Sequence, residues 1–239
     1  MAIVDRIARR VTRYPWDVVR QHLDDNGWAL LPKLLTAAEC AALRRAYDDD
    51  ERFRSTVDMH RHRFGRGQYR YWRYPLPPLV QRLRQTLYAE LCPLANGWMK
   101  QLRRAVAYPP KLEDFLARCH DRGQRRPTPL LLRYGEGDFN RLHQDIYGDV
   151  QFPLQVLVVL SQHGRDYSGG EVVFVEQRPR TQSQPIVLLP NLGDAVIFTN
   201  RERPAQGTRG TYAVQMRHGA SELRAGERVV LGIIFHDAA

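Results

Sequence analysis

The chain has 239 residues, more than a typical single domain, and its 43% hydrophobic share with four Trp supplies a core, which excludes wholesale disorder. Against 26 Asp plus Glu stand 36 Lys plus Arg, a formal charge of +10 that favours acidic partners such as nucleic acid without identifying one, because Arg-rich composition also follows from genomic base bias. No apolar run approaches the ~20 residues of a membrane span, Met1 to Tyr14 lacks a signal-peptide core, and Cys40, Cys92 and Cys119 form neither a disulfide framework nor a C-x-x-C zinc pair, so no membrane partner, reduced thiols and a cytoplasmic location are expected.

Ile3, Ile7 and Val11 recur at helical spacing and predict a first helix, and Val18 through Leu23 predict a second. Trp28 to Pro32 reads as a strand. Thr36 ahead of Ala37-Ala38-Glu39 is an N-cap with Glu at the third helical position, so a helix from Ala37 to about Asp50 is expected, with Leu43 and Tyr47 on its apolar face. Its acidic end, Asp48 to Glu51, is a solvated charge run. From Arg61 to Tyr74, arginines alternate with Phe64, Tyr69, Tyr71, Trp72 and Tyr74. Such a mixture can stack bases and grip phosphates. The preferred reading is an edge strand with aromatics on the core and arginines in water, bordering the site if it forms a lid. Leu79 to Leu91 predicts a helix, Leu112 to Cys119 another, and Arg122 to Pro129 a linker.

From Leu130 onward the pattern turns to short strands bounded by turn residues: Leu130 to Tyr134, Leu142 to Asp145, Gln155 to Ser161, Glu171 to Glu176, Ile186 to Leu189, Asp194 to Phe198, Tyr212 to His218 and Arg228 to Phe235. Eight strands are the number for a jelly roll. The expected fold is therefore mainly β with N-terminal helices, an α+β chain in which a helical region, 1–129, packs on a β core, 130–239, as one structural domain. No internal repeat and no phosphate-cradling glycine motif is found.

Within the β region, His143 and Asp145 form an H-x-D triplet, which on an extended strand puts an imidazole and a carboxylate on one face. His218, on a distant strand, supplies a second imidazole. Two His and one carboxylate with the opposite face open is the arrangement expected of a non-haem Fe(II) oxygenase. Arg228 lies ten residues after His218 and, across a turn at Ala225-Gly226, can approach the same site. Its planar fork suits the far carboxylate of a dicarboxylic acid. His236 on the last strand is the rival to His218, but no residue after it can supply such a clamp. His60 and His62 read as surface residues without a carboxylate partner.

The ordered set Arg133-Tyr134-Gly135-Glu136-Gly137, His143-Gln144-Asp145, Tyr167-Ser168-Gly169-Gly170-Glu171, Leu192-Gly193-Asp194-Ala195, His218-Gly219 and Gly226-Glu227-Arg228 resembles the Fe(II)/2-oxoglutarate-dependent dioxygenases. The resemblance runs from about Leu130 to the C-terminus. It implies a double-stranded β-helix (jelly roll, cupin-like) with Fe(II) on His143, Asp145 and His218, and with 2-oxoglutarate held by Arg228. O2 is then the oxidant, and ascorbate a support of activity. Tyr134 is either a second donor to the 2-oxoglutarate carboxylate or a half-buried aromatic of the first barrel strand. By Leu142-His143-Gln144-Asp145-Ile146-Tyr147-Gly148, Phe152-Pro153-Leu154-Gln155 and Gly232-Ile233-Ile234-Phe235-His236-Asp237, the chain further resembles a bacterial group described as oxygenases for oxidative demethylation of damaged DNA. This implies oxidative hydroxylation or demethylation, with alkylated DNA bases or another nucleic acid as substrate. A protein side chain or an anionic small molecule is the alternative substrate. A non-catalytic cupin-like binding barrel is the alternative class, and its signature would be a missing ligand or clamp residue. Arg201, Arg203 and Arg209, in the expected loop Thr199 to Gly210, are candidate substrate contacts.

Overall fold

The computed structural model describes residues 3–208 and 210–239. Its first part holds helices α1 (Ile3–Thr12) and α2 (Trp16–Asn26), strand β1 (Trp28–Leu31), helix α3 (Ala37–Ala46), strands β2 (Phe53–Asp58), β3 (Gly65–Arg66) and β4 (Gln68–Trp72), and helices α4 (Pro78–Gln101) and α5 (Leu112–Asp121). Strands follow: β5 (Leu130–Tyr134), β6 (Phe139–His143), β7 (Leu154–Val159), β8 (Tyr167–Gly169), β9 (Val172–Gln177) and β10 (Gln184–Leu188). The last are β11 (Ala195–Thr199), β12 (Glu202–Gly207), β13 (Gly210–Ala220), β14 (Leu223–Gly226) and β15 (Arg228–Ile234).

Two antiparallel sheets make the jelly roll that the strand count predicts, the double-stranded β-helix that the resemblance implies. One runs β1-β11-β7-β15-β5-β4-β2 and the other β10-β9-β13-β6-β3, with β12 added on β13; β14 and β8 form a separate pair. Phe174 and Met216 of the second sheet pack on Val196 and Phe198 of the first. The opposite face of the seven-stranded sheet is covered by helices: Leu83, Leu87 and Leu91 of α4 share a core with Leu131, Val156, Leu231 and Ile233. Burial on both faces is why β7 reads as the nearly continuous apolar run Leu154-Gln155-Val156-Leu157-Val158-Val159 and does not alternate.

A polar bolt locks α4 to the end of the chain. Arg84, fully buried, donates to the Ile234 and Phe235 carbonyls, both at 2.9 Å, and pairs with the equally buried Asp237 carboxylate at 2.9 Å. Every strong donor here meets an acceptor, which is what makes a buried guanidinium tolerable.

Several local expectations need correction. The helix expected to reach about Asp50 ends at Ala46, although its capping box of Thr36 and Glu39 forms as read. The helix expected over Leu79 to Leu91 continues to Gln101, because tertiary packing of Leu94, Ala95, Trp98 and Met99 carries it through Pro93. Within Arg61 to Tyr74, β4 is not an edge strand, since it lies between β5 and β2, whereas the two-residue β3 ends the other sheet. Residues Thr199 to Gly210 are not all loop, because β12 hairpins back onto β13. Pro204 and Gly207 disguise it, and both are tolerated because β12 pairs on one side alone. Three strands of the seven-stranded sheet, β1, β2 and β4, come from the first 129 residues. No described helix is long and apolar enough to cross a membrane.

Candidate metal centre

Strands β6 and β13 run antiparallel with His143 and His218 directly opposite in register, so the two imidazoles stand side by side with ring centroids 4.2 Å apart. Gly219 permits this approach: a Cβ there would lie 2.6 Å from the Asn140 carbonyl oxygen. Strand β6 stops at His143, so Asp145 is placed by the following loop and not, as expected, by strand alternation. Gln144 turns the other way and donates to the Met216 carbonyl at 2.9 Å, tacking the loop to β13. Farther on, the buried Gln124 side chain holds the Tyr147 carbonyl (3.1 Å) and both the amide (2.8 Å) and carbonyl (2.9 Å) of Val150. Gln124 falls in the segment read as a linker, where a lone amide side chain carries no pattern.

Asp145 Oδ2 lies 3.1 Å from His218 Nε2, and Asp145 Oδ1 lies 3.6 Å from His143 Nε2. One ligand atom from each residue lies within 4.8 Å of the others, and among the described residues this is the one such set of three. The Tyr147 hydroxyl donates to Asp145 Oδ1 at 2.7 Å. The His143 ring donates from Nδ1 to the Arg141 carbonyl at 2.7 Å, which fixes the tautomer and leaves Nε2 with its lone pair facing the set. His218 Nδ1 is buried without a hydrogen-bond partner, and the ring is held by packing on Phe198 at 4.8 Å. Beside it, Gln155 Nε2 lies 3.3 Å from His218 Nε2. The signal for Gln155 was in the sequence: one amide in an otherwise apolar strand.

Charge states suit a cation. Burial opposes ionisation of Asp145, but the hydrogen bond from His218, the nearby imidazoles and the Tyr147 hydroxyl outweigh it and hold the carboxyl well below the usual range. Burial, then the neighbouring His218, lowers His143, which favours the neutral imidazole that metal ligation requires.

The three residues open into a cavity of about 500 Å³ that also takes in Tyr134 and Arg228. Arg228 faces Tyr134 across the β15–β5 register, with its guanidinium 5.6 Å from the tyrosine ring centroid. It is 2% exposed, its Nε has no hydrogen-bond partner, and no carboxylate among the described residues pairs with it. Burial pushes the Tyr134 phenol up to about 12, so it remains a donor at neutral pH. Leu132, Leu157, Val172, Phe198 and Val230 make the walls apolar, while Phe64, Leu142 and Ile146 stand exposed among the lining residues.

Other expected residues lie elsewhere. Arg203 is not a substrate contact: it is 2% exposed and pairs with the buried Glu176 at 2.7 Å, with its second nitrogen on the Asp24 carbonyl. Arg201 is exposed and touches the site only through its carbonyl, which accepts from Gln144 at 3.1 Å. Arg209 lies outside the described residues. His236 is fully buried and accepts the Phe152 amide proton at 3.2 Å, away from the set. His60 and His62 are exposed.

Comparison with known proteins gives consistent findings. A family model described as "Oxygenase, catalysing oxidative methylation of damaged DNA" matches residues 67–238. The uncharacterized protein Rv2227 of Mycobacterium tuberculosis (strain ATCC 25618 / H37Rv) is 48% identical over 165 residues, 69% of this chain and 71% of that protein. Among solved structures, a Pseudomonas putida prolyl-4-hydroxylase aligns with a TM-score of 0.52 at 17% identity, over 91% of this chain and 96% of that one. A Trichoplax adhaerens prolyl hydroxylase in complex with a hypoxia inducible factor peptide fragment aligns at 0.58 and 13%, over 95% and 89%. A 2OG-Fe(II) oxygenase family oxidoreductase from Burkholderia pseudomallei aligns at 0.50 and 17%, over 95% and 94%. At these identities the likeness is one of fold.

Proposed function

The chain belongs to the oxygenase family described as catalysing oxidative methylation of damaged DNA, and on that premise we propose that it is an Fe(II)- and 2-oxoglutarate-dependent dioxygenase acting on alkylated bases of nucleic acid. The carrying observation is Arg228. A buried guanidinium without a counter-ion among the described residues, in the same cavity as a His-Asp-His set, leaves a place for an anionic ligand whose other end would meet an ion held by that set.

The residues fit that pair of ligands. His143 and His218 with Asp145 would hold the ferrous ion, and Arg228 would hold the far carboxylate of 2-oxoglutarate, with Tyr134 as a further donor to it. When bound, the ion and its cosubstrate couple the conversion of 2-oxoglutarate and O2 to succinate and carbon dioxide to hydroxylation of a substrate C–H bond. Tyr147 engages one carboxylate oxygen of Asp145 and leaves the other beside His218, so the carboxylate is presented in one orientation. The apolar walls keep water from the reacting bond. Hydroxylation of an N-methyl group gives a hemiaminal that loses formaldehyde, so the methyl is removed. Ascorbate would maintain the iron as Fe(II). We place the protein in the cytoplasm, a reading supported by three buried cysteines in thiol form.

The test is succinate formation from 2-oxoglutarate with Fe(II) and ascorbate, followed by formaldehyde release from methylated oligonucleotides. Asp145→Ala should abolish both. Absence of succinate from the wild-type protein, or equal turnover in the variant, would remove the proposal.

A further inference from the structure

Beside the mouth of the main cavity lies a second cleft of about 340 Å³, lined by His60, Arg63, Gly65, Arg66, Phe139 and Arg141. Arg63 and Arg141 line both, so the two spaces share a wall. Pairing of β3 with β6 builds the cleft: Gly65 faces Asn140, Arg66 faces Phe139, and the Arg141 amide donates to the Phe64 carbonyl at 2.9 Å. Gly65 is obligatory at this crossing, since at φ +150° a Cβ would sit 2.2 Å from the Phe139 carbonyl oxygen. Arg63, at φ +60°, closes the short turn His60–His62 and brings its side chain back to the cleft.

The lining carries three guanidinium groups and no carboxylate. None of Arg63, Arg66 and Arg141 forms an ion pair with a described residue, whereas Arg61 next to them is paired with Asp58 at 3.5 Å. Exposed arginines are ordinarily a solvated face. Three that converge on one concave space without a counter-charge repel one another and concentrate positive potential there, which an anion relieves. Guanidinium forks match phosphate oxygens better than point charges do. Nearby, the His62 and Phe64 rings stack on each other at 5.4 Å and 20°, and aromatic rings of this kind can stack a base.

We propose that this cleft is a phosphate subsite: Arg63, Arg66 and Arg141 hold a phosphate group of the substrate while the attached part enters the neighbouring cavity. The inference deepens the oxygenase reading and rests on it for what happens to the part that enters. A nucleic-acid strand and a free nucleotide share the chemistry recognised, and the test separates them.

The probe is a fluorescein-labelled single-stranded oligodeoxynucleotide of about 10 nucleotides, long enough to span one groove. Its binding to the full chain is followed by fluorescence anisotropy at several KCl concentrations, with an unlabelled 5′-mononucleotide as competitor. Two triple variants remove the same charge: Arg63→Gln/Arg66→Gln/Arg141→Gln from the cleft, and Arg9→Gln/Arg13→Gln/Arg45→Gln from exposed positions elsewhere. Circular dichroism checks that both are folded. We expect the cleft variant to lose about tenfold or more in affinity and about two units of salt slope, at ~0.7 per phosphate contact on a single strand. The control should keep most of both. Competition by the mononucleotide as strong per molecule as by the strand assigns the site to free nucleotides; weaker competition assigns it to a strand. The proposal is overturned if the two variants bind alike, or if neither strand nor mononucleotide binds the wild type. Succinate formation is read separately on the wild-type protein. Succinate without phosphate binding sinks the cleft alone, and binding without succinate sinks the oxygenase reading alone.

Discussion

Arg228 is a charge withheld from water with nothing among the described residues to balance it. Such a group raises the free energy of the ligand-free fold, and its replacement by an apolar residue of similar size is often neutral or stabilising. Arg228→Met should therefore weaken 2-oxoglutarate binding by about 30-fold, the equivalent of ~2 kcal/mol for a lost charge-assisted bond. The melting temperature without ligand should hold or rise. Calorimetric titration and thermal melts, each with and without 2-oxoglutarate, read the two effects; unchanged affinity would show that the clamp lies elsewhere. Tyr147→Phe removes the hydroxyl that fixes Asp145 and should lower metal affinity about 10–100-fold, measured by Mn(II) titration of the apoprotein.

His236 shows the same physics with a pH consequence. Burial, then the charge of Arg84, depresses its pKa to about 4, against the smaller opposite pull of Asp145 and Asp237. The unfolded imidazole takes its proton near ~6.5, so between the two values the unfolded chain binds more protons than the folded one. This contribution to stability is complete above ~6.5 and is lost as pH falls towards 4, by about 3 kcal/mol in all. Urea unfolding at pH 7 and pH 4.5 should show the loss, and His236→Phe should flatten the slope. Neither charge nor titration state was readable from local sequence: His218 lies in β13 and His236, expected on the last strand, lies just beyond the end of β15, and only the packing around each separates a structural imidazole from a candidate ligand.

Elements were legible where their signal is local. The Thr36–Glu39 capping box, the spacing of Ile7 and Val11, and the turn residues that bound β5 and β9 are each signals carried within a few residues. They failed where a distant partner decides. Strand β12 exists because β13 offers it a hydrogen-bonding edge, and α4 runs past Pro93 because Trp98 and Met99 find a buried place. The same dependence makes α4 sensitive at one point. Asp237→Ala strands the fully buried Arg84 and should destabilise the fold by about 3–5 kcal/mol, read as a lower denaturant midpoint. A loss under ~1 kcal/mol would mean that the carbonyl bonds to Ile234 and Phe235 suffice.

At the scale of the molecule, β1, β2 and β4 complete a sheet whose centre comes from the second half of the chain, and α4 covers its outer face. We propose from this that residues 1–129 and 130–239 form one structural domain. Tryptophan fluorescence and far-ultraviolet dichroism should then report a single coincident unfolding transition. A fragment beginning at Leu130 should fail to fold, because its β5 and β11 lose strand partners and the sheet exposes Leu131, Val156, Leu231 and Ile233. Two separated transitions would dismiss the one-domain view.

By itself the sequence determined the fold class, most strand positions and the donor chemistry of His143, Asp145, His218 and Arg228, because periodicity and ligand type are written in residue identity. Only the tertiary structure decided that His218 stands opposite His143, that Arg203 is spent on Glu176 while Arg228 is left without a counter-charge, and that Arg63, Arg66 and Arg141 share one cleft. Register between strands far apart in the chain, and the burial that makes one guanidinium paired and another unpaired, come from packing, which no local pattern encodes.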